Sequence, residues 1–348
     1  MRLISCAGYY CSGSSAITDL ITEYADVKSL TDYEFRFMQD IDGITDLEYH
    51  LVHNHHRHNA GHALKRFLRL SEFNAGTWFN SRYEPFFGGN YLKITKEYVD
   101  SLTEFQYPGY WFMDLYDKGK FLYYLKSIES KIRKRVSFLE NSCLPKEVTY
   151  CSHPTEEQFL LLTRKYISKL IDAANPGNAK RLVVDQLLPS SGINQCLRYF
   201  DCDVNVVIVD RDPRDVYLLD KYILKSGISP RDPHVFCEWF KYTHESNRDE
   251  IPNPKNVMTV QFEDLIFRYK NEKKRIESFL GLSEDEHISP FTKLNPCVSV
   301  HNTQLWNVSG DAVAMDVIEK ELTDYLFDFD STKNCEICGI QVKKINRF

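Results

Sequence analysis

Two glycines and three serines fall within eight residues near the start of the chain, in Gly8-Tyr9-Tyr10-Cys11-Ser12-Gly13-Ser14-Ser15. Glycines let a backbone turn its N–H groups inward and hydroxyls add donors, so such a stretch can cradle a phosphate or a sulfate. The spacing from Gly8 to Gly13 meets the first half of the phosphate-loop pattern G-x-x-x-x-G-K-(S/T). The next position is Ser14, where a nucleoside triphosphatase carries the Lys that reaches the β- and γ-phosphates. A triphosphate with Mg²⁺ would meet too little positive charge here, whereas one 5′-phosphate needs only the cradle. Taken alone, the stretch also reads as a Gly/Ser turn that caps a helix and binds nothing.

A second constellation is Asp210-Arg211-Asp212-Pro213-Arg214-Asp215-Val216-Tyr217. It directly follows Val204-Asn205-Val206-Val207-Ile208-Val209, a nearly continuous β-branched run of the kind found in parallel strands covered on both faces. Asp212 suits an N-cap and Pro213 the first turn of a helix. Arg211 then emerges at the carboxyl end of a strand, where open α/β sheets bind ligands, and its planar guanidinium suits a second phosphate. An Arg–Asp surface network is the plainer reading of the cluster by itself. Two anion-adapted strand ends in one sheet make a nucleotide with two phosphate positions the more economical reading.

The elements that must position these residues follow from periodicity. Leu3 to Ala7 is short and apolar, as a buried strand is, and apolar residues at 16, 17, 20, 21 and 24 have helical spacing. Further strands are expected at 181–185, 204–210 and 257–262, and helices at 156–173, 216–224 and 270–280, the last closing on Gly281. This alternation predicts an α/β fold, a parallel β-sheet flanked by helices. Residues from about 60 to 150 are aromatic, charged and mostly helical in pattern, with no strong strand, and read as an insertion or lid. No internal repeat recurs at a fixed period.

Together the two segments resemble the PAPS-dependent sulfotransferase family, whose donor is 3′-phosphoadenosine 5′-phosphosulfate (PAPS). The family's 5′-phosphosulfate motif, typically (K/R)-S-G-(S/T)-(S/T), corresponds to Cys11-Ser12-Gly13-Ser14-Ser15. Its 3′-phosphate motif, typically R-(D/N)-P-(R/K)-D-V, corresponds to Arg211-Asp212-Pro213-Arg214-Asp215-Val216. Val260-Gln261-Phe262-Glu263-Asp264-Leu265 resembles the Y-E-D-L segment, and a helix ending Ile276-Glu277-Ser278-Phe279-Leu280-Gly281-Leu282 follows it as in the family. His301-Asn302-Thr303-Gln304-Leu305-Trp306 resembles the segment that closes over the nucleotide. The matches run in the family's order from residue 3 to about 306, and residues 40–150 carry none of them. The loop is more similar to that of bacterial cell-surface-glycan sulfotransferases than to the steroid and phenol enzymes.

The resemblance implies a P-loop-like sulfotransferase fold, one domain over 1–348 with a mostly helical acceptor-binding insertion at about 40–150. It implies sulfuryl transfer from PAPS to a hydroxyl, leaving PAP and needing no metal. Nucleotide-binding candidates are Gly8, Cys11, Ser12, Gly13, Ser14, Ser15, Arg211, Arg214, Tyr217, Lys221, Lys293, Asn302 and Trp306. Two positions depart from the family. Its usual Lys or Arg before Ser-Gly is Cys11, and Lys221, Lys293 or a His is the expected replacement for that charge. Its 3′-phosphate Ser, eight residues after the Arg, is Leu219, with Lys221 or Tyr217 as substitutes.

An acceptor hydroxyl must lose a proton to a base. Glu34, in a strand-like stretch Thr31–Phe37 after the first helix, is the first candidate, since some sulfotransferases carry a catalytic Glu at about this point. An exposed carboxylate paired with Arg36 is the plainer reading. His53 and His55 are the others, from a run that also holds His50, His56, His58 and His62. His55, His58 and His62 fall at one-face helical spacing. A solvated polar helix, contact with substrate or leaving group, and a metal site are the three readings, the last the weakest because the pattern is not H-E-x-x-H. The polar residues at 50–82 favour a glycan acceptor. The aromatic run Trp78–Phe87 suits an apolar alcohol such as a sterol, or stacking on sugar rings. Rival readings are a P-loop nucleotide kinase and a PAP-binding protein without catalysis.

Composition bounds these readings. The chain has 348 residues and a net charge of −6, which argues against a nucleic-acid partner held by bulk charge. Hydrophobic residues at 43% and charged residues at 26% are ordinary globular composition and argue against a disordered chain. The first residues show no signal-peptide stretch, no apolar run approaches membrane-span length, and ten scattered Cys are too sparse for a disulfide scaffold. A cytoplasmic protein without an integral membrane segment is expected, and a homodimer is compatible with it. Cys335-Glu336-Ile337-Cys338 lacks a second pair and reads as two free thiols rather than half a zinc site.

Overall fold

The computed structural model describes residues 1–133, 135, 147–245, 250–337 and 340–341. Five strands form its main sheet: β1 (Arg2–Gly8), β2 (Val27–Glu34), β3 (Arg181–Asp185), β4 (Val204–Asp210) and β5 (Val257–Gln261). Their spatial order is β2-β3-β1-β4-β5, and every neighbouring pair is parallel. The β-branched runs of β3 and β4 explain why these strands read so clearly. Ile4, Cys6, Val183, Val207, Val209 and Val260 are buried in one apolar cluster with Ile17, Leu20 and Ile21. The alternate residues Leu3, Ala7, Leu182, Val184, Val206 and Ile208 are buried too, so both faces are covered. The fold is therefore α/β, a parallel sheet flanked by helices, as the alternation of elements predicts.

The helices that matter for the site are α1 (Ser14–Thr22), α2 (Pro213–Leu218), α3 (Pro233–Glu245), α4 (Phe262–Phe267) and α5 (Tyr269–Leu280). Gly281 ends α5 at φ 61°, a left-handed turn that glycine adopts without cost. The helix expected over 216–224 starts earlier, at Pro213, and widens to a π-helix over Leu219–Leu224. β2 is longer than the alternation at 31–37 indicates, and begins at Val27.

The chain divides into two compact units, Met1–Arg36 with Asn175–Phe348, and Phe37–Ala174. The first holds the five-stranded sheet. The second packs helices Arg57–Ala75, Tyr91–Leu102 and Glu156–Ala174 around an aromatic core. In it Tyr98 and Tyr166 stack at 4.4 Å, and Phe67 meets both edge-on. Two short antiparallel pairs also occur, Gly76–Thr77 with Asn80–Ser81 and Phe105–Pro108 with Val148–Cys151. Strands of two to four residues are too short to show a period, so this region reads as strandless in sequence. The aromatic run splits: Tyr83 and Phe87 are core, whereas Trp78 is 95% exposed.

Among the described residues no helix is long and apolar enough to cross a membrane. Cys6, Cys11, Cys151, Cys196, Cys202, Cys237 and Cys335 are free thiols, and Cys297 is disulfide-bonded. Cys338, the other half of the C-terminal pair, lies outside the described residues.

Candidate functional site

In the order β2-β3-β1-β4-β5 the chain leaves β1 toward β2 and leaves β4 toward β5, in opposite directions. That divergence makes the carboxyl ends of β1 and β4 a topological switch point, the place where open α/β sheets bind ligands in a crevice. The loop after β1 is Tyr9–Gly13, and the segment after β4 begins at Arg211.

The loop is tightly built. Ser12 N–H and Ser12 Oγ both donate to the carbonyl of Tyr9, at 3.1 and 2.9 Å. Cys11 sits at φ 60° and Gly13 at φ 93°, so two left-handed residues turn the chain into α1. A Cβ on Gly13 would lie 2.9 Å from the Phe262 ring, and one on Gly8 would lie 2.4 Å from Ser12 Oγ. The space these glycines leave is needed by the loop itself. No side chain caps α1 at Gly13, and its first turn holds no acidic residue. Its N-terminal N–H groups therefore present a positive dipole end suited to an anion. Ser14 Oγ accepts a hydrogen bond from Gln186 Nε2 at 3.1 Å, and Ser15 is exposed.

Arg211 is 4% exposed. Its Nη1 donates to the carbonyl of Cys11 at 3.2 Å, its Nη2 donates to the carbonyl of Asn302, and its guanidinium lies 4.7 Å over the Phe262 ring. Its Nε is buried without a hydrogen-bond partner. One side chain thus joins the loop, the end of β4, the start of α4 and the 300–305 segment.

Around it lies a buried acidic set. Asp212 caps α2 through Arg214 N, accepts from Arg214 Nε and Nη2, and accepts from Phe327 N. Asp215 accepts from the backbone N–H groups of Gln304 and Leu305 at 2.9 and 2.8 Å. Glu263 Oε1 accepts from Asp212 N at 3.0 Å. Burial, with Asp212 adding to it and Arg211 opposing it, pushes the Asp215 carboxyl up to about 7. Burial, then the charges of Asp212 and Asp215, push Glu263 up to about 8. These carboxylates serve the architecture: they bind the 302–305 segment and the end of β5 to the Arg211 turn.

The remaining sequence candidates are placed as follows. Arg214 is taken up by Asp212 and Glu319 and lies 4.0 Å over the Trp306 ring, so Arg214 and Trp306 form one stack. Lys221 Nζ donates to Tyr217 Oη and Asp311 Oδ2 at 2.8 and 2.7 Å, and Tyr217 Oη donates to the carbonyl of Arg231. Burial opposes the Lys221 charge, but Asp311 and Tyr217 outweigh it and hold the ammonium well above its ordinary range. Tyr10 ties the loop to the neighbouring Asp220 at 3.0 Å. Lys293 is exposed, and its N–H donates to Glu23 Oε1 at the far end of α1, about 13 Å along the helix from the loop. Burial holds the Cys11 thiol above its ordinary value despite Arg211, so Cys11 supplies no charge.

Glu34 is exposed and pairs with Asp185 across β2 and β3. His53 and His55 belong to the second unit. His53 Nε2 lies 3.7 Å from Glu48, and His55 stacks on His153 with Nε2 3.2 Å from the carbonyl of Ser152. His55 does not share a helical face with His58 and His62, because the helix starts at Arg57 after the chain turns at Asn54. His58 stacks on Trp111, and His62 lies between Asp114 and Asp117. Among the described residues no group of three or more His, Cys, Asp or Glu could hold a metal ion.

Two residues at the crevice escaped the sequence reading. His244 of α3 stacks on Tyr9 of the loop at 3.7 Å, with Nε2 3.2 Å from Asp210 Oδ1 and Nδ1 2.8 Å from the carbonyl of Phe240. Nothing in the spacing between positions 9 and 244 signals that contact. Asp185 ends β3 beside Ser14, and a carboxylate at the carboxyl end of a predicted parallel strand was a usable signal.

No model of a known protein family matches the chain, and no curated protein matches it. Among solved structures it is similar to the sulfotransferase domain from the Synechococcus PCC 7002 olefin synthase, with a TM-score of 0.41 and 13% identity over 94% of this chain and 95% of that one. The reading of the site rests on its own geometry.

Proposed function

We propose that the protein is a sulfotransferase that moves a sulfuryl group from PAPS to an acceptor hydroxyl. The observation that carries this reading is the Arg211–Cys11 junction. It makes the Gly13 loop and the arginine-bearing end of β4 one anion-adapted crevice at the divergence of the sheet. The residues fit the donor: the uncapped N-terminus of α1 offers backbone N–H groups, and the Nε of Arg211 is a buried donor without an acceptor. Ser12, Gly13, Ser14 and Ser15 would hold the 5′-phosphosulfate. Arg211, with Asn302 and the Arg214–Trp306 stack behind it, would hold the 3′-phosphate side, and Lys221 and Tyr217 are proposed as further contacts to the nucleotide.

In the transfer the acceptor oxygen bonds to sulfur as the bond between sulfur and the 5′-phosphate oxygen breaks. The hydroxyl proton passes to the Glu34 carboxylate. Positioning and preorganised positive potential supply most of the rate, so the step needs no metal. The mostly helical insertion at about 40–150 is proposed to bind the acceptor. His53 and His55 are proposed as acceptor contacts there, with a glycan or an apolar alcohol such as a sterol as the acceptor.

The test is incubation with labelled PAPS and a panel of sugars, sterols and simple alcohols. Label transfer to an alcohol is the expected result. PAP binding with no transfer to any acceptor would favour a binding protein without catalysis. Ser14 stands against a nucleotide kinase, since a kinase needs a cation at that position.

A further inference from the structure

The end of β3 carries a carboxylate with no role in the account so far. Asp185 lies opposite Cys6 of β1 on one side and Glu34 of β2 on the other. Ser29 pairs with Val183 and Glu34 with Asp185, so β2 uses five residues where β3 uses two. Such a bulge re-aims a side chain at the edge of a sheet. Phe35 N–H then donates to the carbonyl of Asp185 at 2.9 Å and fixes the register. Parallel partners share a face with strands about 4.8 Å apart, and Glu34 and Asp185 are register partners beyond the bulge.

Asp185 is 7% exposed, and its Oδ1 has no hydrogen-bond partner. The groups that face it are Ser14 and Asp19 of α1, Cys6 of β1, Glu34 of β2 and the backbone N–H of Gln186. Every titratable group among these is an acid. Two carboxylates in one site do not both ionise readily. Burial, then the Glu34 charge, pushes Asp185 up to about 7. Gln186 is held at φ 55° and donates to Ser14 Oγ, which joins this strand end to the first residue of α1.

We propose that Asp185 is a positioning residue for Glu34, the two residues being register partners across β2 and β3 beside Ser14. The charge on Asp185 then assists transfer of the acceptor hydroxyl's proton to Glu34. This rests on the sulfuryl-transfer reading of the site. Glu34 receives the proton, and Asp185 touches neither the acceptor nor the donor and acts through the charge it adds.

The test compares wild type with Asp185→Asn, which keeps the shape and removes the second charge. Turnover of wild type should rise through neutral pH. In Asp185→Asn that rise should vanish, leaving the variant about ten-fold slower at about pH 8.5 and near parity at about pH 6, with PAP affinity within about two-fold. A rise retained in the variant, or an equal loss at both pH values, would overturn the proposal. A second readout needs no turnover: the carboxylate carbon of Asp185, followed by NMR, should titrate at lower pH in Glu34→Gln than in wild type. An unmoved midpoint would also overturn it, and this measurement decides the matter should Asp185→Asn fail to fold. Absence of PAP binding in wild type would refute the donor reading and the pair's role in transfer together, while a shifted midpoint would still show the two carboxylates to be coupled.

Discussion

Nη1 of Arg211 donates to the carbonyl oxygen of Cys11 over 3.2 Å, which builds the arginine at the end of β4 into the wall of the loop after β1. Two segments 200 residues apart in sequence therefore form one surface. A ligand at this crevice would meet backbone N–H groups from one segment and a guanidinium from the other.

Arg211→Ala removes that junction and the buried Nε donor that has no partner. A charge-assisted bond to phosphate contributes about 2–3 kcal/mol, so PAP affinity should fall by about 30- to 150-fold, read by calorimetry. Arg211→Lys keeps the charge but not the fork and should recover only part of the loss. Unchanged affinity in Arg211→Ala would remove Arg211 from the site.

Gly13→Ala should cost about 1–3 kcal/mol of stability, seen as a lower melting temperature. The cost has two sources, the φ of 93° and the Phe262 ring 2.9 Å from the added Cβ. Gly13→Ala with Phe262→Leu should relieve the second and keep the first. Full recovery in the double variant would show that backbone conformation is unimportant at this turn.

Glu34→Gln should lower turnover by about 100-fold or more while leaving PAP affinity within about two-fold. Rates and binding measured on the same preparation check this, and undiminished turnover would assign the base to another residue.

Glu263 links stability to pH. Its folded value of about 8 lies above its ordinary 4.5, so the folded state keeps a proton that the unfolded chain releases. That contribution is full below about pH 4.5 and is lost as pH rises toward 8. Glu263→Gln retains the acceptor for Asp212 N and abolishes the titration. The variant should therefore gain about 1–2 kcal/mol on wild type between about pH 6 and about pH 8 in denaturant melts. A constant difference across that range would show that Glu263 does not hold a proton when folded.

The loop and the Arg211 turn were legible because each is local: a β-branched strand, a punctuating glycine or proline, and a helix with apolar spacing. The same locality is silent on how Arg214 and Asp215 are held. They read as part of a phosphate motif, yet in the fold Arg214 is engaged by Asp212, Glu319 and Trp306, and Asp215 by the 304–305 backbone. His244 was illegible as a partner of the loop because the fold alone brings α3 to it, whereas Asp185 was marked only as a carboxylate at a strand end. The histidine run failed as a helical face for a local reason of a different kind, since the chain breaks at Asn54 and His55 turns to His153.

The central claim is that one crevice takes an adenine nucleotide with separate 5′- and 3′-phosphates and no triphosphate. Thermal melts with PAP and with ATP–Mg²⁺ address it most directly. PAP at about one hundred times its Kd should stabilise the protein by about 2.7 kcal/mol, with ATP–Mg²⁺ giving little shift. Stabilisation by ATP–Mg²⁺ and none by PAP would contradict the account.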